Sequence, residues 1–356
     1  MPKNESWWNP YRFVPVRQDT EQGRPTTDEA FQGHCGYIQC SLTNLSLLFI
    51  GGGLGQGDFI CRDLKPVIPG TSLKGMLRSL AEVVGGGCFI TDRDNHCKDP
   101  DNLCITCRMF GMLSKGDVHK GQVSPGDGIF QDDRPKKKTV SIIQGRPKKE
   151  HSSFYKNPVS GDWAMDMMKM YFHQPKRTDD VFQISASLKS RAVNKQMLEP
   201  GHNFKFTVSF ENLRDQELNL LLYVLALEED VQVTLTPEGL PPVKLKGPMR
   251  HKLGNAKGQG PGSCHVLLEE LTLYAPPEER FSSLQHPFRK TFTGEQLQQE
   301  VLNRTRWYHQ GKDDSPTMQY LRKMMVWDPN DERVFKYPEY NWFNSDANKD
   351  IELKSI

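Results

Sequence analysis

Residues 67–80 read VIPGTSLKGMLRSL, a turn that leads into a helix. The Pro-Gly pair marks the turn, and the hydroxyl of Thr71 or Ser72 can cap the first backbone N–H groups of the helix. Apolar side chains then recur at helical spacing and define one buried face, which consists of Leu73, Met76, Leu77, Leu80 and Val84. The glycine triplet at 85–87 ends the predicted helix.

The other face of this predicted helix has two cations one turn apart, Lys74 and Arg78. Unpaired N–H groups at a helix start, together with nearby cations, are typical of a phosphate site. Ser72 belongs to the same predicted site. The alternative is an ordinary capped amphipathic helix whose charges face water.

Three other segments accompany this one in the chain. They read CSLTNLSLLFIGGG at 40–53, CRMFG at 107–111 and HKLGNAKGQGPGSCHVLLEELTL at 251–273. Together with IPGTSLKGMLRS at 68–79, they resemble, in order, the elements of the RAMP superfamily of CRISPR effector complexes. The N-terminal WNPYRFVPV and the long C-terminal tail are most similar to subtype D members of type III systems. The resemblance implies a Cas-seven-like backbone subunit.

The amino-acid composition limits the classes of protein to which this chain can belong. The 356 residues have a net charge of +2 and a mean hydropathy of −0.63, which indicates a folded core with many polar loops. The basic residues are clustered at 134–138 and 146–149, where they either track a phosphate backbone or form a solvated loop. We expect a cytoplasmic protein, because no apolar run has the length of a membrane span and no signal core is present.

The order of predicted elements indicates an α+β protein. A strand over 36–50, with a bulge near Thr43-Asn44, precedes the first helix. A strand over 204–210, a helix capped by Asn212, and strands at 231–235 and 267–273 follow later. Strand–helix followed by strand–helix–strand fits a ferredoxin-like, or RRM-like, core, and the RAMP resemblance implies the same fold.

The chain divides into three predicted regions. An aromatic N-terminal arm covers 1–32, the core covers 33–276, and a polar C-terminal extension with its own aromatic residues covers 277–356. Within the core, residues 88–107 form a zinc-binding insertion and residues 115–190 a thumb-like insertion that would separate short duplex segments.

Four cysteines provide the strongest chemical signal. They follow the spacing Cys88-x8-Cys97-x6-Cys104-x2-Cys107, in a polar stretch that a metal ion would order. His96 is an alternative ligand to Cys97, and free buried thiols are the alternative to a metal. With four ligands the zinc would be structural, as in related type III backbone proteins.

A glycine-rich loop at 51–57 ends at Asp58. In the family, the loop at this place contains an aspartate that cuts target RNA, so the resemblance implies Asp58 as the catalytic residue, with Asp63 as the alternative. The family pattern GGIDNPV is not present here. Cleavage would use Mg²⁺ or another divalent cation. An aspartate in such a loop is otherwise a turn residue.

A second glycine-rich loop, at 252–263, includes Lys252, Asn255 and Lys257. Successive glycines with lysines suit a loop laid against a nucleic-acid backbone, and a flexible loop is the alternative. The predicted partners are guide RNA, target RNA, other RAMP subunits and the large subunit of a type III complex. Two other functions remain open: a capping subunit that binds RNA without cutting it, and a stand-alone guide-processing endoribonuclease, for which His173 and His251 are too isolated to form a catalytic pair.

Overall fold

The computed structural model describes most of the chain. The described residues are 9–17, 22–26, 31–52, 57–88, 97–114, 116–143, 167–176, 192–236, 241–276, 278, 288–333, 335 and 345–348. They form a mixed α+β protein with antiparallel sheets and few helices. The strands are β1 (Tyr11–Pro15), β2 (His34–Asn44), β3 (Cys61–Arg62), β4 (Lys65–Ile68), β5 (Met112–Ser114), β6 (Asp117–His119), β7 (Val123–Pro125), β8 (Gly128–Phe130), β9 (Lys137–Ile142), β10 (Met167–Tyr171), β11 (Val193–Leu198), β12 (Asn203–Leu213), β13 (Val231–Leu235), β14 (Val243–Gly247), β15 (His251–Lys252), β16 (Ser263–Tyr274) and β17 (Arg289–Thr293). The helices are α1 (Gly70–Gly85), α2 (Ile105–Phe110), α3 (Asp215–Ala226), α4 (Gly294–Thr305) and α5 (Pro316–Met325), with short 3-10 turns at Lys257–Gln259, Arg306–Tyr308 and Asp346–Asn348.

The largest sheet has the order β15-β16-β2-β12-β8-β4-β3, with β7 also paired to β12 and β17 to β16. In β12 every second side chain from Phe204 to Phe210 is buried, which is the period expected of a sheet with one covered face. Helices α1 and α3 contact each other and strands of this sheet. Burial of their apolar faces against the sheet forms the main core.

The predicted bulge near Thr43-Asn44 is wrong. Strand β2 ends at Asn44, and the chain then leaves the sheet, which explains the change in the apolar phase. The extra residue lies on the partner strand β16, between Leu268 and Glu270. The side chain of Asn44 closes the strand end, because its amide donates to the carbonyls of Ser46 and Glu199.

The helix over the 67–80 stretch is confirmed, but its start differs from the prediction. α1 begins at Gly70 after Pro69, and neither Thr71 nor Ser72 caps it. Instead the Gly70 N–H donates to Asp127 Oδ1 at 2.8 Å, a residue between β7 and β8. The long-range carboxylate replaces the local hydroxyl as the cap, and this hydrogen bond, with Arg62 adding to it, lowers the pKa of Asp127.

The predicted cap of α3 is also wrong. The helix follows Arg214, whose N–H donates to Glu217 Oε2 at 2.9 Å. Asn212 lies before it with φ 52° at an irregularity of β12, and its side-chain oxygen accepts the N–H of Gln32. The residue therefore shapes the strand end, since Asn tolerates left-handed backbone better than other non-glycine residues.

The N-terminal arm packs on the chain's own core. β1 pairs antiparallel with β10, with Tyr11 opposite Tyr171, and both Tyr11 and Val14 are buried. Strand β10, which includes Met167, Met168 and Met170, thus joins the arm to the chain's own core. Trp7 and Trp8 lie outside the described residues.

The described residues after 276 also pack on the core. β17 extends the main sheet beside β16, and α4 contacts α3. Phe335 stacks on Phe172 with ring centroids 4.7 Å apart. Half of the predicted thumb-like insertion, namely 115, 144–166 and 177–190, lies outside the described residues, and β9, within the insertion, pairs with β11, which follows it.

Candidate metal centre and RNA-binding groove

The four predicted cysteines meet at one point. Cys88 follows α1, Cys104 immediately precedes α2, and Cys107 lies within α2. Together with Cys97 their Sγ atoms all lie within 4.8 Å of one another, and all but the half-buried Cys88 are buried. The structure confirms this grouping, while His96 lies outside the described residues.

Backbone N–H groups surround the sulfurs. The N–H of Cys97 donates to Cys88 Sγ at 3.4 Å, that of Cys104 to Cys97 Sγ at 3.2 Å, and that of Cys88 to Cys104 Sγ at 3.4 Å. Hydrogen bonds from the Cys107 and Cys88 thiols, aided by the backbone, lower the pKa of Cys104. Four sulfurs that lie this close together, three of them accepting backbone N–H groups, match the tetrahedral set that zinc prefers, so this cluster can hold a metal ion such as zinc.

The local sequence makes this geometry possible. Gly86 ends α1 with φ 70°, a conformation that favours glycine. At Gly87 a Cβ would lie 2.1 Å from Thr106 Oγ1, so only glycine lets the two segments approach. The buried pair between Arg108 Nε and Glu217 Oε1, 2.6 Å apart, joins α2 to α3 and fixes the centre on the core.

An open groove of about 410 Å³ lies between α1, β10 and the second glycine-rich loop. Its lining consists of Phe49, Ile50, Gly51, Ser72, Gly75, Met76, Ser79, Leu80, Met168, Lys169, Met170, Tyr171, Lys252, Leu253, Gly254, Asn255, Lys257 and Met325. The groove therefore has apolar walls with lysines on two of its sides.

The groove brings together four residues that the sequence assigns to RNA binding. Ser72 from α1 faces Lys252, Asn255 and Lys257 from the loop. The loop is held in place because the Asn255 N–H donates to Phe49 O at 2.9 Å, and Lys252 Nζ donates to the carbonyls of Gly260 and Pro261. Burial lowers the pKa of Lys257, whose ammonium lies 5.9 Å from the Tyr171 ring centre.

A third lysine of the groove was missed by the sequence prediction. Lys169 on β10 lies 3.6 Å from the ring centre of Tyr11 and 5.5 Å from that of Tyr171. Burial lowers its pKa from 10.5 to about 8. No local pattern in the sequence marked this lysine, because its place at the groove depends on the pairing of β10 with the distant β1.

Two predicted cations lie elsewhere on α1. Arg78 donates to Glu82 Oε1 at 2.8 Å, to Gly111 O at 2.9 Å and to Cys107 Sγ at 3.7 Å, so its guanidinium is bonded within the protein. Lys74 is half-buried, and burial followed by repulsion from Arg78 lowers its pKa. Neither residue lines the groove.

The two predicted catalytic aspartates also lie outside the groove. Asp58 is exposed and follows Gly57, whose carbonyl accepts the Gln196 N–H from β11 at 2.7 Å. Asp63 is exposed in the two-residue turn between β3 and β4, with φ 51°. Residues 53–56 of the first glycine-rich loop lie outside the described residues, and the exposed basic run at 134–138 precedes and enters β9.

Comparison with protein families identifies the class. The model of the RAMP superfamily matches residues 41–234, more than half of the chain, and the protein belongs to this superfamily. Membership suggests a type III CRISPR-associated role in RNA binding. No curated protein matches the chain. Among the described residues, no helix is long and apolar enough to cross a membrane.

Proposed function

We propose that this chain is a Cas-seven-like backbone subunit of a type III CRISPR ribonucleoprotein, of subtype D. It would hold guide RNA in the groove, meet target RNA on the opposite side, and contact other RAMP subunits and the large subunit. The observation that supports this most directly is the groove itself, because it gathers Ser72, Asn255 and Lys257 from distant segments of a RAMP protein.

The same proposal includes a ferredoxin-like core over 33–276, with the zinc-binding and thumb-like insertions and the extension after it. Its support is the strand order β16-β2-β12-β8, in which β2 before α1, β8 and β12 between α1 and α3, and β16 after α3 follow the order 4-1-3-2. Strand β8 lies within residues 115–190, so this core includes a short part of the predicted insertion. Neighbouring strands in this set are antiparallel, as that arrangement requires.

The groove chemistry fits a nucleotide chain. Lys257 and Lys169 offer ammonium groups for phosphates, and the backbone of the glycine-rich loop lets the chain approach closely. Met168 and Met170 offer adaptable apolar contacts for sugar and base faces. Such contacts position RNA without selecting its sequence, which suits a subunit that must accept many guides.

The test is RNA binding by Lys257→Ala and by the double variant with Lys169→Ala. We expect weaker binding to all RNA sequences alike, and a salt dependence of affinity whose slope falls by about one for each phosphate group that the variant no longer binds. The matched control is Lys312→Ala, an exposed lysine in the turn between α4 and α5. If the control and the groove variants bind equally well, RNA does not lie in the groove.

A second candidate function is cleavage of target RNA, supported by the exposure of Asp58 and Asp63 on neighbouring turns. A carboxylate there can orient a ribose 2′-OH, and a divalent cation such as Mg²⁺ can neutralise the scissile phosphate. Asp58→Asn and Asp63→Asn should leave RNA binding intact, and loss of the catalytic one should slow cutting by about two to four orders of magnitude.

The assay is reconstituted complex with labelled complementary RNA, with and without magnesium. Loss of cutting in only one variant identifies the aspartate. If the wild-type complex does not cut the RNA, the result favours a capping subunit that binds RNA without cutting it. Guide processing by His173 and His251 is disfavoured, because His173 bonds to Ser263 and Arg250, and His251 to Val224, inside the protein.

A further inference from the structure

Arg78 joins the RNA-binding helix to the metal centre. Its three donor nitrogens reach three different places: a carboxylate on its own helix, the carbonyl of Gly111 after α2, and the sulfur of Cys107 in α2. Both Arg78 and Glu82 are largely shielded from water, with side-chain exposures of 15% and 8%. A guanidinium in this position hydrogen-bonds three groups of the protein at once and is not a solvated surface charge.

The charges of the metal centre explain why a cation is needed there. Four thiolates around one divalent ion leave an excess of two negative charges, which must be stabilised by nearby donors. Cys88, Cys97 and Cys104 each accept a backbone N–H. The fourth sulfur, Cys107, receives the Arg78 guanidinium at 3.7 Å.

The helix extends this connection to the groove. Ser72, Gly75 and Ser79 of α1 line the groove, while Arg78, between them in sequence, contacts the cysteine cluster. A rigid helix transmits a change at one side to the other, because its side chains share one backbone. The groove wall and the contact to the cysteine cluster thus lie on one helix.

We propose that Arg78 is a positioning residue for the metal centre, in place of the RNA contact predicted from the sequence, and that metal occupancy controls the RNA-binding groove through it. The part concerning RNA rests on the proposed function of the groove. The part concerning metal retention does not depend on it.

The experiment compares Arg78→Lys and Arg78→Met with wild-type protein loaded with zinc. Zinc release to a chelating dye is measured as the chelator concentration rises, and RNA affinity is measured with and without added zinc. We expect both variants to lose zinc at about 10- to 100-fold lower chelator strength, the usual effect of removing a partner of a metal ligand. RNA affinity should fall with zinc loss and recover when zinc is added.

Lys74→Met is the matched control, since Lys74 lies one turn earlier on the same helix and does not contact the cluster. It should release zinc as wild type does. The third measurement is amide hydrogen exchange of the wild-type protein before and after zinc removal. We expect lower protection of α1 in the zinc-free protein. Because this measurement needs no variant, it applies even if Arg78→Met does not fold.

Two results would overturn the proposal. One is an Arg78→Lys variant that retains zinc as well as wild type does but loses RNA affinity, which added zinc does not restore. That result would make Arg78 an RNA ligand. The other is unchanged protection of α1 after zinc removal. If wild-type protein binds no RNA while Arg78→Lys still loses zinc, the proposed function of the groove fails and the metal-positioning role stands.

Discussion

The two sides of α1 have opposite surroundings. Toward the metal centre, Arg78 and Glu82 are bonded to each other, and Arg78 also bonds to neighbouring segments. Toward the groove, Gly75 is exposed, and a Cβ added there would meet nothing within 4 Å. One side of the helix thus contributes to stability, and the other has room for a ligand. We therefore expect substitutions on the two sides to affect different properties, stability on the first side and ligand binding on the second.

The largest expected effect is on the metal side. Cys104→Ser removes one of the four clustered sulfurs, so the protein should lose its metal, and its free energy of unfolding should fall by more than about 4 kcal/mol, as is typical of a lost metal site. Thermal denaturation with elemental analysis of zinc measures both quantities.

Cys61→Ser is the control, because Cys61 is exposed and lies outside the cluster. It should change neither quantity. Equal stability of the two variants would show that the four cysteines are ordinary core thiols, and the contrast between the two sides of α1 would then disappear.

A smaller effect is expected on the groove side, with pH. The pKa of Lys169 falls from 10.5 to about 8 on folding, so between these pH values the unfolded chain binds more protons. The contribution of Lys169 to stability therefore rises with pH from about 8 to 10.5. RNA affinity should change in the opposite direction, because the ammonium is lost as pH rises through about 8.

The expected loss of affinity is about tenfold, the value of one hydrogen bond to a charged group. Binding and denaturation curves at several pH values, compared with those of Lys169→Met, isolate the contribution of this lysine. If the variant shows the same pH dependence of binding as wild type, another group is responsible for it.

The smallest effect compares two glycines of α1. Gly75→Ala should raise the free energy of unfolding by about 1 kcal/mol, since alanine favours a helix and the space is open. It should also weaken RNA binding, because the methyl group enters the groove. Gly85→Ala should destabilise, because its Cβ would lie 2.5 Å from Leu220 Cδ2. Melting temperatures of both variants test this, and a stabilised Gly85→Ala would contradict the packing.

Features set by local sequence were predictable. The amphipathic spacing of Leu73, Leu77 and Leu80 indicated α1, and alternation indicated β12, because both patterns report burial directly. The cysteine spacing indicated the cluster, since the chemistry of zinc restricts the ligands to a few arrangements.

Features set by distant partners were not predictable. The cap of α1 comes from Asp127, more than 50 residues away, and no feature of the sequence near α1 indicates it. The end of β2 at Asn44 was mistaken for a bulge, because a strand end and a bulge shift the apolar phase in the same way. Lys169 was missed because its role depends on the pairing of β10 with β1.

The pairing of β1 with β10 has a consequence for synthesis of the chain on the ribosome. At a synthesis rate of roughly 5–20 residues per second, Tyr11 and Val14 are made roughly 10–30 s before Met167. During this time β1 has no partner strand. The groove is finished later still, because Met325 is part of its lining. The lining of this groove is therefore complete only after nearly all of the chain has been translated, and on the proposed function RNA would enter it after that point.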